Sequence, residues 1–298
     1  MNKPPPFARV VAAAATPFRD DLSVDQARMT QHVRWLLANG CDGVVMFGST
    51  GESASLTQAE RHSIVQELRK ADIPAASLLI GTGCSAIEDT IALTRMALSF
   101  GVAGALVHPP FFFKGVSDEG VELFYRRVID GVGDARLRLY LYHYPQAVGV
   151  GISLQVVDRL FTRYPTIIAG YKDSSGNFDN TCAVTKNFSV LDVFVATEAR
   201  YQEFRKAGGA GCVSATANVQ PAAIARLEQS LGTPAADAAQ ASVARMRKAL
   251  EGPQVIGNVK TLLSDIHGDA QWLTVRPPLV RLTDPEIHAL RERVRGAA

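Results

Sequence analysis

Short, unbroken apolar runs alternate along most of the chain with longer stretches in which apolar residues return every three or four positions. The first rhythm belongs to strands buried on both faces, the second to amphipathic helices. Val10 to Ala15 is the first run, ended by Thr16-Pro17-Phe18, where proline stops ladder pairing. Met29, Val33, Leu36 and Leu37 then predict a helix over 25–39, with Ser23 as its N-cap and Gly40 as its stop. Gly43 to Phe47 predicts a second strand, and Thr57 with Glu60 has the spacing of a capping box at the helix that follows. The alternation continues with strands predicted at 77–80, 104–108, 137–142, 167–172, 190–196 and 211–214. Helices are predicted at 85–100, 117–132 and 153–164, with another ending near Ala207.

Eight strands alternating with helices over roughly two hundred residues predict an α/β protein, a closed parallel (β/α)8 TIM barrel. After Gln220 the helical spacing persists, in Ile224, Leu227 and Leu231 and again in Val243, Met246 and Leu250, while the strand rhythm stops. The expected organisation is a barrel over 1–220 and additional C-terminal helices over 221–298, packed on the barrel.

Composition narrows the function classes. Of the 298 residues, 31 are basic and 29 acidic, and the two signs are interspersed. No basic stripe or cationic face results, so neither nucleic acid nor a membrane is an expected partner. Met1 to Pro6 carries three consecutive prolines and no apolar run, unlike a signal peptide, and no apolar stretch reaches membrane-spanning length. Cys41, Cys84, Cys182 and Cys212 stand far apart, away from zinc spacing, and read as free, mostly buried thiols. The expected location is cytoplasmic. His32, His62, His108, His267 and His288 are scattered, which gives no reason to expect a metal. Gly81-Thr82-Gly83 lacks the third glycine of a dinucleotide fingerprint.

Three strand ends carry candidate chemistry, because the carboxyl ends of a parallel barrel's strands face one mouth. In Ile167 to Lys172, alternation puts Ile168, Gly170 and Lys172 on one face, and delivers a single cation into the polar turn Asp173-Ser174-Ser175-Gly176. Such a lysine either snorkels into solvent or, desolvated, forms a Schiff base with a carbonyl substrate. Tyr142, before His143-Tyr144-Pro145, is either a packing residue or a phenol that passes protons beside Lys172. His143 alternates away from Tyr142 and reads as structural. Gly48-Ser49-Thr50-Gly51 is either a plain turn or a set of backbone and hydroxyl donors suited to a carboxylate.

Thr16-Pro17-Phe18, Gly48-Ser49-Thr50-Gly51-Glu52, Tyr142-x-x-Pro145, Gly170-x-Lys172-Asp173 and Val275-Arg276-Pro277-Pro278-Leu279 occur in that order with barrel spacing. Together they resemble the dihydrodipicolinate synthase/N-acetylneuraminate lyase family, over nearly the whole chain. The resemblance implies a TIM barrel, usually a homotetramer, that binds pyruvate or another 2-oxo acid as a covalent imine and uses no other cofactor. It implies Lys172 as the imine lysine, Tyr142 as the proton-transferring phenol, and Ser49 and Thr50 as hydroxyls that hold the substrate carboxylate and relay protons. Gly48, Phe112, Tyr144, Glu198, Val213 and Thr216 are the further residues expected to shape the substrate pocket.

Departures from the family's pattern bear on the substrate. Synthases carry an arginine shortly after Tyr-x-x-Pro for the second substrate's carboxylate, where this chain has Ala147 after Gln146. Pro110-Phe111-Phe112-Phe113 falls where synthases and lyases place a tyrosine that reaches the neighbouring subunit's site, and phenylalanine relays no proton. Sialic acid lyases have Gly-x-Asp-Glu where this chain has Ala196-Thr197-Glu198-Ala199. The expected activity is a class I aldolase or dehydratase acting on a 2-keto-3-deoxy sugar acid or related hydroxy-oxo acid. The alternatives are 4-hydroxy-tetrahydrodipicolinate synthase and, from another class, a 2-oxo acid binding module without turnover.

Overall fold

The computed structural model describes residues 7–297. The expectation about Met1 to Pro6 lies outside them. Eight strands, β1 (Val10–Ala13), β2 (Gly43–Met46), β3 (Leu78–Gly81), β4 (Gly104–Val107), β5 (Leu139–His143), β6 (Ile168–Asp173), β7 (Asp192–Val195) and β8 (Gly211–Ser214), close a barrel in sequence order. Neighbours such as β1 and β2, β1 and β8, and β5 and β6 pair in parallel. The TIM barrel read from the apolar runs is therefore present. All but the end of β5 are buried along their whole length.

Helices follow the strands: α1 (Gln26–Ala38), α2 (Gln58–Lys70), α3 (Ile87–Ser99), α4 (Asp118–Val132), α5 (Pro145–Val148), α6 (Leu154–Arg163), α7 (Phe178–Asn187) and α8 (Tyr201–Lys206). After β8 come α9 (Pro221–Ser230), α10 (Ala236–Leu250), α11 (Val255–His267) and α12 (Asp284–Arg295). Among the described residues no helix is long and apolar enough to cross a membrane.

Local chemistry explains most boundaries. Thr57 and Glu60 form the expected capping box at α2. Ser117 caps α4 through the Gly120 N–H, and Gly133, at φ 66°, ends it in the left-handed conformation. The expected cap of α1 is corrected: Asp25, not Ser23, accepts from the Arg28 N–H at 2.9 Å, while the Ser23 hydroxyl donates to Asp21. β1 stops at Ala13, two residues before the apolar run does. α5, a single turn behind Tyr144, is too short to show any periodicity in sequence.

Two compact units make up the chain. One holds Phe7, Pro74–Ala196 and Phe204–Gly211, and so contains β3 to β7 with α3 to α7. Its interior layer is aromatic: Tyr140 of β5 lies against Gly170 of β6, where a Cβ would stand 2.4 Å from the Tyr140 ring. The other unit holds Ala8–Ile73, Thr197–Glu203 and the chain from Cys212 onward, with β1, β2 and β8 and the C-terminal helices. Leu250, Leu262, Leu282, Ile287 and Leu290 form one apolar cluster among α10, α11 and α12. Trp272, Val259 and Leu263 pack with Ala15 in another, which seats α11 against the end of β1.

Candidate active site

In the unit of β3 to β7, β5 and β6 pair so that Tyr142 lies directly opposite Lys172. Side chains alternate along each strand, so Tyr140 and Tyr142 share a face with Gly170 and Lys172. Lys172 is only 3% exposed, and its Nζ stands 4.2 Å from the centroid of the Tyr142 ring. An ammonium at that distance over a phenol ring is favoured electrostatically. Tyr142 is buried as well. The two residues singled out for imine chemistry are thus brought together.

Asp173, the next residue of β6, turns the other way and is buried. Its carboxylate accepts from the Ser175 N–H at 2.8 Å, the Asn180 amide at 2.8 Å and the Thr181 hydroxyl at 2.9 Å. Those three bonds fasten the turn into which Lys172 emerges, a role that the motif Gly170-x-Lys172-Asp173 contains but that no sequence argument assigned. His143 is structural, as expected: its Nδ1 accepts from the Ile152 N–H at 2.9 Å and its ring stacks on Tyr171 at 5.8 Å. Burial lowers its pKa from the usual histidine value, which favours the neutral ring that this bond requires.

Tyr144 stacks on Tyr142 with ring centroids 6.0 Å apart, and the His108 ring lies 6.3 Å from that of Tyr142. His108 follows the last residue of β4, and its Nδ1 donates to the Pro109 carbonyl at 2.7 Å. Sequence reading set His108 aside among the scattered histidines; its place at a strand's carboxyl end was the signal that could have found it. Phe111 packs on His108 at 5.6 Å, whereas Phe112 and Phe113 are 75% and 71% exposed. Lys114 holds this aromatic loop, its ammonium donating to the carbonyls of Phe111 and, at 2.8 Å, Val148 in α5. Also in α5, the Gln146 amide donates to the Ser175 carbonyl. Ala147, the position of the synthases' arginine, is exposed on that short helix.

In the other unit, Gly48, Ser49, Thr50 and Gly51 form a tight turn after β2, with the Gly51 N–H bonded to the Gly48 carbonyl at 3.1 Å and the Glu52 N–H to that of Ser49 at 3.1 Å. Ser49 is exposed and Thr50 buried. A Cβ on Gly51 would stand 2.8 Å from the Ala14 carbonyl, so only glycine fits there. Glu198, Thr216 and Val213 are also in this unit, all buried. The Glu198 carboxylate accepts from the Ser214 hydroxyl at 2.6 Å and the Gln220 amide at 3.3 Å. Ser214 in turn accepts from the Thr216 N–H at 3.1 Å, and Arg247 donates to the Thr216 hydroxyl at 3.3 Å. Val213 lies on β8 facing away from Ser214, paired with Val11 of β1.

None of the four cysteines is in a disulfide; Cys41 and Cys212 are buried, Cys84 and Cys182 half-buried. Burial pushes the Cys41 thiol up to about 12, which removes it as a nucleophile. Among the described residues no group of three or more histidine, cysteine or acidic side chains is placed to hold a metal ion.

The family model for the dihydrodipicolinate synthetase family matches residues 6–297. An uncharacterized DapA-like lyase of Chloroflexus aurantiacus is 32% identical over 287 residues, covering 95% of this chain and 94% of its own. The crystal structure of dihydrodipicolinate synthase from Agrobacterium tumefaciens superposes with a TM-score of 0.89 at 30% identity, covering 97% of this chain and 99% of its own. YagE of E. coli K12, a member of the same family crystallised in complex with pyruvate, shares the fold at a TM-score of 0.88 and 22% identity, with 98% of both chains covered. A barrel of this kind, with a buried lysine and a phenol at the ends of adjacent strands and a family match along almost its whole length, is a lyase; the chain belongs to the dihydrodipicolinate synthetase family.

Proposed function

We propose that the protein forms an imine between Lys172 and pyruvate or another 2-oxo acid, and that its full substrate is a 2-keto-3-deoxy sugar acid or a related hydroxy-oxo acid. The observation that carries this reading is the in-register placement of buried Lys172 beside Tyr142, with Nζ 4.2 Å from the ring. The neutral amine attacks the C2 carbonyl, and loss of water leaves a protonated imine. In the aldolase direction the C3–C4 bond breaks, its electron pair moves to the imine nitrogen as an enamine, and the C4 hydroxyl proton passes to a base. Tyr142 is the proposed carrier of that proton and of the proton returned to C3. Hydrolysis then frees pyruvate and Lys172. In the dehydratase direction the same imine acidifies C3, and the C4 hydroxyl leaves as water.

Ser49 and Thr50, with the backbone N–H groups of their turn, are proposed to hold the substrate carboxylate, Gly48 giving the room to approach. Tyr144, Phe112, Thr216, Val213 and Glu198, the last acting through Ser214, are proposed to shape the rest of the pocket. The absence of an arginine at Ala147 favours a substrate without a second carboxylate. No cofactor beyond the imine is required by this chemistry. A cytoplasmic homotetramer is the corresponding proposal for location and assembly, the latter checked by light scattering after gel filtration.

One observation favours a second reading, 4-hydroxy-tetrahydrodipicolinate synthase: the Lys114 ammonium lies 2.8 Å from the Val148 carbonyl, one residue beyond Ala147. It could supply a cation from another loop. Parallel assays separate the two readings. Cleavage or dehydration of 2-keto-3-deoxy acids, lost in Lys172→Ala, supports the first; condensation of pyruvate with aspartate semialdehyde supports the second. Undiminished turnover by Lys172→Ala on a substrate that the wild type accepts contradicts both. Reversible pyruvate binding with neither turnover nor adduct identifies a binding module.

A further inference from the structure

Glu52 directly follows the Gly48–Gly51 turn, and two features mark it as more than a turn residue. Its backbone sits at φ 53°, the left-handed region that favours glycine, and its side chain is completely buried. Phe47, on the other side of the turn, is likewise left-handed at φ 58°. A turn flanked by two non-glycine residues in this conformation keeps its shape only where its surroundings impose it, and such strain gathers at functional sites.

The surroundings of Glu52 are unusually complete. Its carboxylate pairs with Lys260 of α11, also fully buried, and accepts the Arg276 N–H at 3.0 Å. Lys260 also donates to the Thr274 carbonyl at 2.8 Å, and its ammonium lies 4.4 Å from the centroid of the Phe18 ring. The Arg276 guanidinium covers the same ring at 4.6 Å and reaches back to Glu60 and the Ser55 carbonyl. The Thr16 hydroxyl donates to the Gly51 carbonyl at 2.7 Å. Two sequence motifs near the start of the chain, Thr16-Pro17-Phe18 and Gly48 to Glu52, and a third more than two hundred residues later, Val275 to Leu279, therefore converge on one buried charge network.

A buried ion pair is a poor device for stability, since desolvating both charges offsets much of their attraction and an apolar replacement often does as well. It is a good device for fixing a geometry. Burial pulls the Lys260 pKa down to about 8 in spite of Glu52, which still leaves its ammonium charged at neutral pH.

We propose that Glu52 and Lys260 are positioning residues that hold the Ser49–Thr50 turn in the shape that receives the substrate carboxylate. The proposal rests on the imine-lyase reading above. Glu52 occupies a conformation suited to glycine because its side chain, anchored on α11, sets where the preceding hydroxyls and N–H groups point.

The test compares pyruvate with methyl pyruvate, which offers the same ketone without the carboxylate charge. Each is trapped by borohydride across a concentration series, in the wild type, in Glu52→Gln/Lys260→Met, which removes both charges together, and in Thr16→Val, which loses one bond to the turn and no charge. Thr16→Val keeps the test open where the double variant fails to fold. The expected result is a rise of about tenfold or more in the half-saturating pyruvate concentration of the double variant, and a smaller rise in Thr16→Val, with methyl pyruvate moving less than about twofold in both. Equal shifts for the two ketones, or no shift for either, overturn the proposal and leave the lyase reading standing. Absence of any adduct in the wild type removes the lyase reading and the proposal with it.

Discussion

Lys172 and Tyr142 face each other across the β5–β6 ladder, Nζ 4.2 Å from the ring centroid, and both are more than nine-tenths buried. The contact separates two contributions of the tyrosine, the ring that seats the ammonium and the hydroxyl that moves protons. Tyr142→Phe keeps the first and removes the second. The expected outcome is a fold unchanged by circular dichroism and a kcat reduced by about 10²- to 10⁴-fold, the usual range for a lost general acid–base group. A kcat within a factor of two of wild type would exclude the phenol from proton transfer.

Gly170 makes room for Tyr140 directly beneath Lys172. A Cβ there would stand 2.4 Å from the Tyr140 ring and 2.5 Å from the Asp192 carbonyl, a backbone atom that cannot swing aside. Gly170→Ala is expected to destabilise the protein by about 1–3 kcal/mol through overpacking, read from denaturant midpoints, and to lower imine formation because the strand carrying Lys172 must shift. Wild-type stability in this variant would contradict the packing described.

Lys114 clasps the Phe111–Phe113 loop to α5, and its seat depends on Gly149, where a Cβ would stand 2.6 Å from the Lys114 side chain. Lys114→Met is expected to raise the KM for the longer 2-oxo acid while leaving pyruvate trapping near wild type. Faster hydrogen exchange confined to the loop and α5 would accompany it. Arginine at 114, able to reach the same carbonyls, should restore most of the loss. Under the synthase reading, by contrast, Lys114→Met abolishes the condensation.

His32 is fully enclosed among Trp35, Trp272 and His267, with ring centroids 4.9 Å from Trp272, and its Nε2 donates to Asn218 at 2.9 Å while Nδ1 has no partner among the described residues. Burial pulls its pKa down to about 4. The unfolded chain takes up the proton near pH 6.5 and the folded chain only near 4, so the native state loses stability as pH falls through that window and keeps it in full above. The expected loss is about 3 kcal/mol between pH 7 and 4. In His32→Gln, which can still donate to Asn218, this part of the pH dependence should vanish from urea midpoints measured at pH 7 and pH 4.5; an unchanged slope would contradict it.

The barrel was legible because strands buried on both faces are mostly apolar, so each of the eight shows as a short apolar-rich run. Lys172 and Tyr142 stood out as polar residues at the ends of such runs, and the β5–β6 register puts them on one face. What could not be read depends on side chains that meet across long separations. Glu52 and Lys260 are 208 residues apart, and nothing local marks either as half of a buried pair. Asp25 and Ser23 are both good caps, and the choice between them turns on Asp21, which occupies Ser23. His108 looked like one of several unplaced histidines until the strand order brought β4 beside β5.

The imine at Lys172 is tested most directly by intact mass after borohydride reduction in the presence of pyruvate, with Lys172→Ala treated in parallel. The expected result is a single pyruvyl adduct on the wild type, mapped by peptide digestion to Lys172, and none on the variant. An adduct that persists in Lys172→Ala, or no adduct on the wild type with pyruvate or any longer 2-oxo acid, would contradict the assignment of Lys172 as the imine-forming residue.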